Sequence, residues 1–162
     1  MKESLDPEFA NVCSVIGTIT ITWGWADLLL SLAIGILFES LPAIKGHPDI
    51  PRSMDKRLHY LKCALKTDAL APLQQEGSLV AKEFARLKET RNEIIHRAAW
   101  KTGKGQFDSL RLDIKGRKQT AVYEGFDLNV ATAFGMEVVG LVDISHAFLF
   151  KLVEIFPKPP AR

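Results

Sequence analysis

From Val12 to Phe38 the chain is so apolar that two kinds of structure remain open to it: a helix that crosses a membrane, or a helix packed into a protein core. The run sits within a predicted helix from about Glu8 to Ser40. Asp27 lies near its middle. A carboxylate at mid-bilayer costs ~2.5–3.5 kcal/mol, which about ten Leu, Ile and Val could offset, so the charge alone does not decide. The flanks add more. Neither carries a strong Lys/Arg cluster, and no basic start leads to a small-residue cleavage site, so neither an oriented anchor nor a signal peptide is supported. A core helix without membrane contact is the expectation, which makes Asp27 an acid in need of a cation.

A chain of 162 residues with 47% hydrophobic content has the size of one ordinary domain, and a single helical domain over 1–162 is expected. A net charge of +2 is too small to announce a nucleic-acid binder, so any such case rests on local clusters. Cys13 and Cys63 match no metal-ligand spacing and read as buried small hydrophobes of a reducing compartment, the cytoplasm. No metal site and no cofactor are expected: no His, Cys or Asp cluster has ligand spacing, and glycine-rich phosphate loops are absent.

Leu41-Pro42 closes the first helix, and Gly46, His47-Pro48 and Ile50-Pro51 form a stiff loop. A second helix is predicted from Arg52 or Ser53 to about Lys66, with Ser53 as N-cap. Met54, Leu58, Leu61, Cys63 and Leu65 supply its inner side. Arg52, Lys56, Arg57, Lys62 and Lys66 make its outer side basic, as a solvated face or an RNA contact would be. Pro72 suits the first turn of a third helix, expected to break near Gly77 and to continue from Ser78 to about Arg97. Leu110–Ile114 then alternates as a strand does and can pair with Thr120–Tyr123 across a turn at 115–118, a hairpin near 105–125. Lys101, Lys104, Arg111, Lys115, Arg117 and Lys118 form the densest basic stretch and are candidate RNA contacts. Asp127 reads as the N-cap of a last helix from about Leu128 to Phe156, apolar almost all round and so destined for a core or an oligomer interface. The fold class expected is all-α, an antiparallel bundle of four to five helices with a small β-hairpin.

Within the third helix, Arg91-Asn92-Glu93-Ile94-Ile95-His96 places an arginine, an amide and an imidazole in six residues. At about 3.6 residues per turn, Val80, Phe84, Ile95 and Ala98 share a stripe and Arg91 falls near its middle, where a charge needs a partner. Asp27 is the expected one. Asn92 and His96, four apart, line up beside that stripe. His47, His59 and His146 have no companions at telling spacing, and Glu93 points away from the stripe.

This segment resembles the Arg-x4-His signature of HEPN domains, a polar residue following the Arg on a helical domain. Trp23 followed by Asp27 in the first helix is similar to that family's aromatic-then-acid pattern, although Glu is commoner there. The hairpin departs from a minimal HEPN domain. The resemblance implies a metal-independent endoribonuclease, often a toxin or defence effector, working as a homodimer with the motifs of both subunits in one cleft. On that reading Arg91, Asn92 and His96 are catalytic, Asp27 supports them, and the partners are RNA and an antitoxin or regulatory protein. RNA carries its own 2′-hydroxyl nucleophile, so a histidine to move protons and a guanidinium for the phosphorane-like charge suit the task. Two other classes stay open: a non-catalytic HEPN-like module that binds nucleotide or RNA, and a helical membrane or structural protein.

Overall fold

The computed structural model describes residues 6–41, 44, 49–95, 98–103, 106–115 and 118–157. Among them the chain is mostly helical: α1 (Pro7–Ser40), α2 (Met54–Ala64), α3 (Gln74–Ile95) and α4 (Leu128–Ile155), with a 3-10 segment at Asp68–Leu73. Three strands, β1 (Ala98–Gly103), β2 (Gln106–Lys115) and β3 (Lys118–Gly125), stand between α3 and α4. Short polar side chains start the helices. Asp6 Oδ1 accepts from the Glu8 and Phe9 amides, Ser53 Oγ from Lys56, and Asp127 Oδ1 from Asn129 and Val130. Each satisfies first-turn N–H groups that have no partner within the helix.

The residues group into two compact units, Met1–Ile21 with Lys88–Glu137, and Thr22–Leu87 with Val138–Arg162. In the second unit aromatic contacts join α1 to its neighbours. Trp23 meets Phe84 of α3 edge to face at 5.7 Å, and Phe38 lies 6.1 Å from Tyr60 of α2. Burial pushes the Tyr60 phenol up from its ordinary pKa. Gly77 belongs to this packing. A Cβ there would stand 2.5 Å from Leu65 Cδ2 and 3.0 Å from the Phe148 ring of α4. The expected break at Gly77 is therefore corrected: α3 runs through it without interruption, and the glycine provides close approach, not a hinge. The Lys151 ammonium of α4 donates to Glu76 Oε1 at 2.6 Å, and this bond holds the carboxyl below its usual range.

In the first unit Val12, Ile19, Ile94, Phe107, Ala131 and Phe134 are buried. Gly135 of α4 comes close enough to α1 that a Cβ would lie 3.4 Å from Ile19. The strands form one antiparallel sheet in the order β1-β2-β3. Leu110 pairs with Tyr123 and Asp113 with Thr120, as the expected hairpin requires, and Lys115 stands opposite Lys118. Buried Ser109 donates its hydroxyl to the Glu124 carbonyl.

Several expectations need correction. The hairpin is two strands of a three-stranded sheet, because Ala98–Gly103 pairs with β2 in the register Ala98 to Leu110 and Lys101 to Phe107. Ala-Ala reads as helix in isolation, but β2 supplies that backbone with hydrogen-bond partners. Ala98 accordingly leaves the stripe of α3, while Leu87 joins it. Cys13 is exposed and Cys63 half-buried, so neither is the fully buried hydrophobe expected. α1 is a core helix on one side: Val12, Ile19, Trp23, Ala26, Leu30, Ile34 and Leu37 are buried, but Ile21, Trp25, Leu28 and Leu32 are exposed. It is long and apolar enough to cross a membrane by length and composition.

Two expectations follow from this packing. Gly77→Ala gains up to about 1 kcal/mol of helix propensity but overpacks buried Leu65 and Phe148, typically worth about 1–3 kcal/mol, so urea denaturation should show a net loss. Because the Glu76 carboxyl is lowered in the folded state, its stabilisation is present above its unfolded pKa and disappears as pH falls through the folded one. An NMR titration should find the Glu76 midpoint below the ordinary carboxylate value, and Lys151→Ala should raise it.

Candidate functional site

α3 is amphipathic over most of its length, with Val80, Ala81, Phe84, Leu87 and Ile94 buried. Arg91 continues that stripe in the last turns and is half-buried, as its helical phase requires. Its Nη1 donates to Asn92 Oδ1 at 3.0 Å, so the guanidinium and the amide that adjoin in sequence also adjoin in space. Glu93 is exposed. His96 lies outside the described residues, as do Lys104, Arg117 and His47.

The remaining basic candidates sit on the sheet. Lys101 is in β1, Arg111 and Lys115 in β2, and Lys118 in β3. Arg111 and Lys115 are register positions of one parity, and Lys118 pairs directly with Lys115, so the backbone places these three positions on one face.

Asp27 has a different partner from the one expected. Its Oδ1 accepts from Arg57 Nη2 at 2.7 Å, and the Arg57 side chain is 11% exposed against 37% for Asp27. The pairing with Arg91 is thus replaced by one with α2. Arg57 also departs from its expected place on the outer basic face. Arg57 Nη1 donates to Ser31 Oγ and, at 3.4 Å, to the Asp27 carbonyl, while the Ser31 hydroxyl donates back to that same carbonyl at 2.7 Å. An arginine buried to this degree needs a carboxylate and further acceptors, and one turn of α1 supplies all three. The spacing of Asp27 and Ser31, four apart in an apolar helix, was the signal for this network.

Beside the pair, Asp27, Ser31, Ile34, Ile50, Pro51, Arg52 and Arg57 line an open cavity of about 350 Å³. Of the other histidines, His59 Nε2 lies 3.6 Å from Cys63 Sγ, a contact that their spacing of four allowed but did not announce. His146 packs edge to face on Phe150 at 4.5 Å. Among the described residues no three His, Cys, Asp or Glu side chains converge as metal ligands would.

The chain matches no protein-family model, no curated protein and no solved structure. What the geometry defines is a mostly helical protein with a small antiparallel sheet, an Arg–Asn pair at the end of α3 and an internal ion pair between α1 and α2.

The ion pair yields an asymmetric expectation. Asp27→Ala strands a buried cation and should cost roughly 3 kcal/mol, whereas Arg57→Met leaves a carboxylate that water partly solvates and should cost less. Asp27→Leu combined with Arg57→Met should recover much of the loss, which urea titration of the three variants would read.

Proposed function

We propose that the chain is a HEPN-like endoribonuclease that acts in the cytoplasm as a homodimer. The observation that carries this reading is the hydrogen bond from Arg91 to Asn92. A bond to the neighbouring amide orients the plane of the guanidinium fork. A fork so oriented suits the developing charge of a phosphodiester under attack. His96 follows four residues after Asn92 and supplies the group that titrates near neutrality.

In the proposed reaction His96 of one subunit takes the proton from a ribose 2′-hydroxyl, and the 2′-oxygen bonds to phosphorus. The bond from phosphorus to the 5′-oxygen breaks, and the partner's His96 protonates that oxygen, leaving a 2′,3′-cyclic phosphate and a 5′-hydroxyl. Arg91 steadies the charge on the non-bridging oxygens. Lys101, Lys104, Arg111, Lys115, Arg117 and Lys118 hold the RNA backbone.

The dimer finds support in apolar surface that the second unit leaves uncovered. On α1 Trp25, Leu28 and Leu32, spaced three and four apart, are 58%, 47% and 49% exposed. On α4 Val139, Phe150 and Val153 are exposed too. Such faces on monomers mark interaction surfaces, and a two-fold partner covers them symmetrically. The length and composition of α1 favour a second reading in which this face meets lipid.

One set of measurements separates these readings. Light scattering should find a dimer at micromolar concentration without detergent; a monomer excludes the two-subunit cleft, and detergent-dependent solubility favours the lipid reading. A single-turnover assay with mixed RNA in EDTA should show cleavage that His96→Ala reduces about 10²–10⁴-fold and Arg91→Ala comparably, while His59→Ala leaves it intact. Equal cleavage by wild type and His96→Ala, or none by either, overturns the catalytic reading in favour of the alternative of an RNA- or nucleotide-binding module.

A further inference from the structure

The C-terminal end of α2 and the first half of α3 enclose an open groove of about 520 Å³. Its floor is apolar: Leu65 and Ala81 are buried there, with Ala85 beside them. Its rim carries Lys62 and Lys66 from the α2 side and Lys82 from α3, and no carboxylate lines it. Gln74 and Ser78, one turn apart on the α3 side, add neutral hydrogen-bonding groups.

The acids of this part of α3 are engaged elsewhere. Glu76 is bonded to Lys151, and Glu83 to Arg86. None of Lys62, Lys66 and Lys82 forms an ion pair among the described residues. Three ammonium groups with no ion-pair partner among the described residues, around a concave apolar floor, make a local positive potential that the chain's net charge of +2 conceals. Gly77 lets α3 pack closely against Leu65, the residue that caps α2, so packing fixes the floor where the two elements meet.

The geometry points to a binding site for a ribonucleotide phosphate, with the ammonium groups on the phosphate and the Leu65–Ala81–Ala85 floor under the ribose or base. Lysines bind phosphate as point charges without fixed approach, as an open rim requires. Of the three floor residues Leu65 and Ala81 are buried and Ala85 is exposed, so the floor is shallow and apolar and the charged rim dominates what the groove can recognise. Ser78 and Gln74 line the groove and offer neutral donors and acceptors to a sugar hydroxyl or base edge. The phosphate can belong to a free nucleotide or to single-stranded RNA; the preference for RNA rests on the ribonuclease reading.

The test uses His96→Ala as background, so that binding is measured without cleavage. Fluorescence anisotropy with a short labelled oligouridylate at about 50 mM salt is compared with Lys62→Gln/Lys66→Gln/Lys82→Gln and with the charge-keeping triple Lys→Arg variant. The neutral triple variant should weaken binding about tenfold or more and flatten the slope of log affinity against log salt by about 2, at roughly 0.7 for each single-strand phosphate that no longer meets a cation. The Lys→Arg variant should keep both. Competition by uridine monophosphate, abolished in the neutral variant, assigns the groove to a single nucleotide; competition by oligomer alone assigns it to RNA. Unchanged affinity and slope in the neutral variant overturn the inference, as does equal competition by polyglutamate, which would make the groove a mere charge sink. Neither result bears on cleavage by the wild type, and failure of cleavage leaves the groove's affinity to be read on its own.

Discussion

The second unit is organised around the difficulty of keeping Asp27 inside the most apolar helix of the chain. The Asp27 carboxylate is partly exposed, and its partner Arg57 is the more deeply buried charge, one tolerable there only with a carboxylate and further acceptors at hand. Arg57 bonds to the carboxylate, to the Ser31 hydroxyl and to the Asp27 carbonyl at once. The pair fixes the first turn of α2 against the middle of α1, and the aromatic contact of Phe38 with Tyr60 holds the same two helices further along. From there the chain proceeds to Leu65, which Gly77 allows α3 to approach. The basic groove is a product of that approach, since its floor is Leu65 and its wall the adjoining face of α3.

The long helices have a second constraint. α1 and α4 are apolar on nearly every side, yet a chain of this size can bury one face of each. Ile21, Trp25, Leu28 and Leu32 on the one, and Val130, Met136, Val139, Phe150 and Val153 on the other, are among those that remain exposed. Under the proposed function, a second subunit is the surface that would cover these exposed aromatic and aliphatic groups. The same pattern explains why helical periodicity was poorly informative in α1: with apolar residues all round, no stripe announces which side faces inward.

Polar chemistry near the backbone was legible in the order of residues alone. Asp127 and Ser53 were readable as N-caps, Arg91 as a charge in the inner stripe of α3, and the pairing of Leu110–Ile114 with Thr120–Tyr123 as a hairpin, because each depends on neighbours a few positions away. Helices α1, α2 and α4 lie close to where these local rules put them, and the hairpin strands are longer than expected, whereas Pro72 falls in a 3-10 segment and α3 begins only at Gln74. The partner of Asp27 was not legible. Asp27 and Arg57 lie on different helices, and periodicity says which residues face inward but never which inward faces meet. Strand β1 escaped for a similar reason, since Ala98–Gly103 becomes a strand through the hydrogen bonds that β2 offers it. Gly77 reads as a helix breaker by propensity and proves to be a point of contact, which Leu65 and Phe148 decide from two other elements. Local interactions thus determined where helices and turns lie, whereas the counter-ion of Asp27, the third strand, the role of Gly77 and the lysine-rimmed groove were settled by tertiary packing, which brings together residues that sequence spacing leaves unrelated.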